Sequence, residues 1–354
     1  MKITRVEADI VELAMEEPYE IAYGSVSRVQ NILVRVYTSQ GEVGFGVASP
    51  ERPVTGEAVV PAHGMVAEVA PLLVGLDPLC PARVMAKIKK PLAAWPSIRS
   101  AVDMAIYDIL GKVAQLPVYK LLGGFRRHIM TSMTLGIMDE EKTVRAAVAH
   151  VAAGFRALKI KGGKDVDEDI AKTLRIRDAV GKQIALRFDA NQGYTVEEAV
   201  KYVTSTRQAK VEILEQPTPK TEMDLLGDVT RRVPVPVMAD ESLLNMRDAF
   251  RLAKRGLADM VNIKLMKVGG LLEASAISAV ARAARMEVMV GCMDEMALGI
   301  AAGLAFACAS PDVVYADLDG HIGLKGDPTA GALRLKRGVL YPNPTPGLGL
   351  CRTL

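Results

Sequence analysis

Six ionisable residues, Lys161, Asp189, Glu215, Asp240, Lys264 and Asp317, each close a short apolar run: "RALKIKG", "IALRFDA", "VEILEQP", "VPVMADES", "ADMVNIKL" and "VVYADLDG". In order they read lysine, three acids, lysine, acid. Three carboxylates brought together cannot all stay ionised without a cation. Hard oxygen ligands suit Mg²⁺, which prefers six-coordination and keeps positions open for water or substrate. A carboxylate bound to such an ion has an acidified α-carbon, because the ion stabilises the enediolate charge that deprotonation creates. A lysine on each side could remove a proton from one face and return one to the other. A metal and a second lysine nearby would lower each lysine from about 10.4 toward the roughly 7–8 that suits a base. Taken singly, each residue has a plainer explanation. Asp240 before "ESLLN" could cap a helix, and Lys264 could reach out to solvent. The ordered set is what points to chemistry.

These residues need a scaffold that aims them at one place. With Gly136 ("SMTLGI") and Gly291 ("MEVMVGC") they make eight apolar run ends, spaced 24 to 28 residues apart. Helical patterns such as "EEKTVRAAVAHVAAG" and "DEDIAKTLRIRDAV" fill the gaps. Eight strands at that spacing, each but the last followed by a helix, argue for a parallel β/α barrel, whose sites lie at the C-terminal ends of the strands. In an eight-membered ring the second and sixth strands are opposed, so Lys161 and Lys264 stand across from each other with the acids along one arc. Lys159 and Lys161 are two apart and share a strand face, which is expected to look into the interior. The first 125 residues read as a separate α+β domain. It has a hairpin turning at Ser39-Gln40-Gly41 and helices over 55–75, 81–91 and 97–115, with Ser97 as N-cap. The expectation is an α/β protein with a (β/α)7β barrel over 126–324 and a tail, 325–354, that packs back on the N-terminal domain.

Composition excludes several classes. Half of the 354 residues are apolar and about a quarter charged, with a net charge of +3, so neither nucleic acid nor an anionic membrane is an expected partner. Cys80, Cys292, Cys308 and Cys351 show no ligand spacing and read as reduced thiols of a cytoplasmic protein. "MKITRVEADIVELAMEEP" is too acidic for a signal peptide, and no apolar run reaches the roughly 18–20 residues of a membrane helix. His63, His128, His150 and His321 are scattered and expected at surfaces or loops. Gly269-Gly270 before a helix looks like a phosphate-binding turn. A homo-oligomer is left open.

The stretches "LKIKGG", "RFDANQGY", "LEQP", "ADES", "NIKLMKVGG" and "GCMDE" resemble the enolase superfamily, muconate-lactonizing subgroup, over essentially the whole chain. The resemblance implies that the N-terminal domain caps the barrel. It also implies Mg²⁺ on Asp189, Glu215 and Asp240, Lys161 and Lys264 as the acid/base pair, and Lys159 on the substrate carboxylate. Asp317 and Asp319 in "YADLDGH" share a face and suit an ammonium; this D-x-D resembles the dipeptide epimerases, where such a pair holds the α-ammonium. N-acyl amino acid racemases and o-succinylbenzoate synthases or cycloisomerases share the lysines and metal ligands, and a non-catalytic binder with the same fold is a third class. A plain polar turn before Gly320 is the competing explanation for the aspartates. Glu51 in "SPERPVTGE" and Asp294 in "GCMDE" would favour Lys or Arg at the inverted residue. Arg52 could cancel Glu51, and Asp294 could cap a helix. A preference for Ala-Glu would call for a cation in the loop 19–30, whose centre is Tyr23 and Gly24, with Arg28 nearby. Thr134 is a candidate substrate hydrogen-bonding residue.

Overall fold

The computed structural model describes residues 1–21 and 24–350, with side chains throughout except at 17–25. A long antiparallel hairpin, β1 (Ile3–Ile21) and β2 (Gly24–Thr38), is continued by β3 (Val43–Ala48). The turn at 39–42 closes with Thr38 N–H donating to the Glu42 carbonyl at 3.0 Å, at the tripeptide the sequence singled out. Both faces of β2 are covered. Ile32, Val34 and Val36 meet one core with Ile98, Val102 and Ile106, while Leu33, Phe45 and Val47 belong to the core shared with the barrel. Fully burying each such side chain contributes about 1.5–3 kcal/mol. This explains why "NILVRV" lacks the polar alternation of a half-exposed strand.

Four helices follow: α1 (Arg52–Thr55), α2 (Val59–Leu73), α3 (Pro81–Ile88) and α4 (Pro96–Val113). Ser97 is not the cap of α4. The helix begins at Pro96, with Trp95 as N-cap; proline favours the first turn because its missing N–H is not needed there. The Ser97 N–H instead donates to the Glu57 carboxylate, 3.1 Å away. The cap comes from 40 residues upstream, beyond the reach of a local pattern.

After α5 (Val118–Leu121) and a short strand, β4 (Ile129–Met130), the barrel begins. Its elements are β5 (Met133–Leu135), α6 (Glu140–Ala152), β6 (Ala157–Lys161), α7 (Val166–Val180), β7 (Ala185–Asp189), α8 (Val196–Ser205), β8 (Val211–Glu215), α9 (Met223–Arg232) and β9 (Val237–Ala239). They continue as α10 (Met246–Arg255), β10 (Met260–Lys264), α11 (Leu265–Val268), α12 (Leu271–Ala283), β11 (Glu287–Gly291), α13 (Ala297–Ala309) and β12 (Val313–Asp317). The eight strands from β5 to β12 form one parallel sheet in sequence order. The named run ends fall at the strand termini to within a residue. The ring closes through a single bridge, Thr131 to Ala316, rather than a ladder between β5 and β12. Among the described residues no helix follows β12. The chain turns into β13 (Leu324–Lys325), which pairs with β1, and then β14 (Leu333–Lys336) and β15 (Val339–Pro342), which join β4. That segment, with α4 and α5, packs on α13. Every residue of α13 is buried, as a helix apolar all round requires.

The Gly269-Gly270 turn holds an anion of the protein's own. Arg99 on α4 donates to the Val268 carbonyl at 2.8 Å, and the Asp103 carboxylate accepts from the Leu271 and Leu272 N–H groups at 2.5 and 3.3 Å. Asp103 thus stands where a phosphate would at the N-terminus of α12. A Cβ at Gly269 would strike the Arg99 side chain and one at Gly270 the Asp103 carboxylate, and both glycines have positive φ. This bracket from α4 fixes the segment that starts one residue after Lys264. Asp103→Ala should lower stability by about 1–3 kcal/mol by orphaning two amides, and Gly270→Ala should destabilise by clash and strain. Because both act on one contact, the double variant should cost less than the sum in chemical unfolding; strict additivity would count against the bracket.

Candidate active site

Alternation along the barrel strands points one residue in two at the axis. The lower layer holds Ile213, Met238, Met260 and Met289 beside Tyr315, with the buried Arg187 guanidinium over the Tyr315 ring. Above it the barrel strands present Lys159, Lys161, Asp189, Glu215, Asp240, Lys264 and Asp317. Lys161 pairs in register with Asp189, which pairs with Glu215. Ligand oxygens of Asp189, Glu215 and Asp240 lie within 4.8 Å of one another, and all three residues are buried. Lys161 Nζ is 3.0 Å from Asp189 Oδ2, and Lys264 Nζ is 2.8 Å from Asp240 Oδ2. Lys159, 2% exposed, meets Glu215 at 2.7 Å, Asp317 at 2.9 Å and Asp189 at 3.1 Å. Lys159 and Lys161 do face an interior lined with carboxylates.

The electrostatics divide the acids. Burial would raise Asp189, but Lys161 and Lys159 hold it down at about 2. Asp240 is depressed too, because Lys264 and Lys267 outweigh its burial. Burial and the neighbouring Asp189 push Glu215 up to about 8. Burial alone would depress Lys264, yet Asp240 raises it above its ordinary value. The lowering that the sequence suggested for Lys264 therefore does not come from this set of side chains. A cation competing for the same carboxylate charge would act in that direction.

One cavity of about 420 Å³ lies over this layer. Asp317, Asp319, Thr134, Glu51 and Asp294 line it together with Lys159, Lys161 and Lys264. Asp317 accepts from Ser132 Oγ at 2.5 Å, and Asp319 accepts from the Thr134 backbone N–H at 2.6 Å. Burial and Asp317 push Asp319 up to about 7. Asp294 is not a helix cap: α13 starts at Ala297 with Met296 as N-cap. Its carbonyl instead accepts from Asn31 Nδ2 at 3.1 Å and Ser49 Oγ at 2.9 Å, which ties the loop after β11 to the N-terminal domain. Arg52 is exposed and absent from the wall, so it does not offset Glu51 there. Arg28 is exposed and pairs with Glu12 at 2.5 Å. Tyr23 lies outside the described residues, as does the side-chain position of Gly24.

A family model described as the mandelate racemase / muconate lactonizing enzyme N-terminal domain matches residues 5–123, and one described as enolase C-terminal domain-like matches 142–351. The chain belongs to the enolase superfamily. It is 36% identical to a hydrophobic dipeptide epimerase of Enterococcus faecalis, over 99% of each chain. It is also 36% identical to an L-Lys-D/L-Arg epimerase of Methylococcus capsulatus, again over 99% of each. Crystal structures of dipeptide epimerases from these two organisms superpose with TM-scores of 0.96 and 0.94 at 36% and 35% identity, each covering 99% of both chains. The first is complexed with Mg and L-Leu-L-Tyr, the second with Mg and L-Arg-D-Lys.

In this superfamily member several site residues escaped the sequence. Asp240 caps no helix, since Asn245 caps α10. It is held instead by Lys267, fully buried, whose ammonium bonds both its carboxylate and its carbonyl. Lys264 and Lys267 are three apart, and α11 turns the chain helical between them, which brings both to one acid. Asn191 fixes Asp189 through its backbone and side-chain N–H groups at 2.9 and 3.3 Å, and its Oδ1 has no partner. Asn262 Nδ2 holds Glu215 at 2.7 Å. Glu241, His150 and Cys292 also line the cavity; His150 sits on α6, not in a surface loop. Cys80, Cys292 and Cys308 are free thiols, and Cys351 lies outside the described residues. Among the described residues no helix is long and apolar enough to cross a membrane.

The donor set fits a hard divalent cation. Three oxygens converge, and one of their carboxyls is pushed toward its protonated form by the other charges, a penalty a cation would relieve. Added Mg²⁺ should raise the melting temperature saturably. Asp189→Asn should right-shift that titration by about tenfold or more, as expected when a charged ligand of a hard cation is lost. An unchanged titration in this near-isosteric variant would show that the ion binds elsewhere.

Proposed function

We propose that the protein is a Mg²⁺-dependent dipeptide epimerase, an isomerase that inverts the α-carbon of a dipeptide's C-terminal residue by proton transfer between Lys161 and Lys264. The observation that carries this is the placement of two lysines on opposed strands, one against Asp189 and one against Asp240, in the same cavity as Asp317 and Asp319. Mg²⁺ held by Asp189, Glu215 and Asp240 would supply positive charge against the substrate carboxylate and so acidify the α-hydrogen. The chain's own groups do the rest. Lys161 takes the proton from one face, and Lys264 delivers one to the other. Lys159, ringed by Asp189, Glu215 and Asp317, is kept protonated although burial opposes it and is available to the substrate carboxylate.

Asp317 is already partly neutralised by Lys159, whereas Asp319 is pushed up to about 7. An arriving ammonium supplies the charge the second carboxylate lacks, so it favours the ionised form of both. A substrate without an ammonium, as an N-acyl amino acid or succinylbenzoate precursor would be, leaves Asp319 buried with its raised carboxyl unrelieved. This favours a dipeptide over those alternatives. The two relatives at 36% identity point the same way through the activities they are named for, while a relative named for racemising N-succinyl-Arg/Lys is 30% identical.

The side chain of the inverted residue is proposed to be cationic. Burial and Asp294 both raise Glu51, while Lys264 and Lys161 oppose them only in part. A Lys or Arg side chain there gives two acids a shared partner.

Lys161→Ala and Lys264→Ala should each abolish epimerisation, losing at least the roughly 10²–10⁴-fold of a general acid–base group. In D₂O, each variant should still exchange the α-hydrogen of one isomer only, seen by NMR. Normal epimerisation by either variant would sink the two-base mechanism. Separately, kcat/KM for Ala-Lys or Ala-Arg should exceed that for Ala-Leu by roughly ten- to hundredfold, since a charge-assisted contact is worth about 1.5–3 kcal/mol. Glu51→Gln and Asp294→Asn should erase most of this gap and leave Ala-Leu nearly unchanged. A preference for Ala-Glu would refute the acidic pocket and leave the epimerase assignment standing.

A further inference from the structure

The cavity is not confined to the barrel axis. Thr134 lies beside Lys159 in register, so its side chain faces inward, and the flanking Met133 and Leu135 must face outward toward α6. Yet all three line the same cavity, so the cavity passes through the barrel wall. It does so at the seam. Between the edges of β5 and β12 the described residues make one backbone bridge, Thr131 to Ala316. Beyond it side chains carry the contact, with Thr131 Oγ1 accepting from the Leu318 N–H at 2.8 Å and Ser132 Oγ donating to Asp317 at 2.5 Å. Above that bridge the Thr134 N–H bonds the Asp319 carboxylate instead of a strand carbonyl. The D-x-D pair therefore occupies the gap where a closed ladder would run. β12 leads directly into β13, so the outside of the gap is roofed by the turn through Ile322 toward the N-terminal sheet.

We infer that this side chamber receives the side chain of the dipeptide's N-terminal residue and selects a large apolar one; the inference rests on the dipeptide reading above. With the carboxylate end at the lysines and the ammonium at Asp317 and Asp319, the N-terminal side chain starts at the doorway of the seam. Ahead of it stand Met133, Leu135, Met138, Ala146 and Ile322, with His150 at the end of the wall on α6 and the exposed Glu16 at the roof beside Gly323. Methionine and leucine give an apolar, adaptable lining. The acidic pair Glu51 and Asp294 belongs to the other half of the cavity, on the N-terminal domain and the loop after β11. The two substrate side chains thus meet opposite chemistry: apolar at the N-terminal residue, acidic at the inverted one.

The test is a series of dipeptides with Gly, Ala, Leu, Phe, Lys or Glu at the N-terminal position and a common C-terminal lysine, repeated with a common C-terminal alanine. For the intact protein, kcat/KM for Leu or Phe should exceed that for Gly by about ten- to hundredfold, the worth of burying one large apolar side chain. Ala146→Phe, which fills the chamber from α6, should shrink that ratio to within about threefold while Gly-Lys turnover persists. Ile322→Phe fills it from the opposite wall and should do the same, so a folding defect in one variant is caught by the other. Equal rates for Gly and Leu in the intact protein, or a best substrate with Glu or Lys first, would overturn the chamber assignment. Turnover of none of these dipeptides would instead overturn the epimerase reading, so the two failures are distinguishable.

Discussion

The structure depends on one constraint: a charge cluster buried at the mouth of the barrel must be balanced by side chains that cannot move away. Asp189, Glu215, Asp240 and Asp317 face Lys159, Lys161, Lys264 and Lys267 within hydrogen-bonding distance. Each charge would be costly alone in an interior. Held on adjacent strand ends, the set compensates most of that cost, but not all, and the residue is visible in Glu215, which is pushed up to about 8. The scaffold explains why the imbalance survives. Strand-end positions are set by backbone ladders, and Asn191, Asn262 and Lys267 clamp the acids individually. A flexible cluster would relax into neutral pairs. A rigid one keeps its excess of acid where a cation would relieve it.

The barrel was legible in the sequence because its signal is redundant. Eight apolar runs at regular spacing survive an error in any one of them, and the ionisable residues sit at strand ends by construction. The caps and clamps were not legible, because they are set by distance in space. Glu57 caps α4 from far upstream, where a local pattern offered Ser97. Asp103 fills a glycine turn that looked built for phosphate, although nothing near Gly269 in sequence announces it. Lys267 was not singled out, because a strand period would put it opposite Lys264. Only the switch to helix at Leu265 brings it back to Asp240. The loop pairing of Glu51 with Asp294 was suggested from the motifs, but Asn31 and Ser49, which tie the two segments, lie in runs that read as plain strand.

The site is divided between two kinds of support. The proposed reacting end rests on strands. The proposed selecting end rests on loops and seams: Glu51 at the start of a four-residue helix, Asp294 between strand and helix, Asp319 in a gap of the sheet. Chemistry common to a superfamily can then stay fixed while substrate choice varies at positions that tolerate replacement.

The N-terminal sheet takes its fourth strand, β13, from beyond the barrel, and α4 caps the Leu348 N–H with Asp108 at 2.8 Å across 240 residues. During synthesis the N-terminal sheet therefore cannot be finished until β13 emerges, after all eight barrel strands have been made. Contacts of such long sequence separation form late, since closing a long loop must precede any gain from it. The two domains are consequently one unit in folding order, and the cavity between them is among the last features to appear.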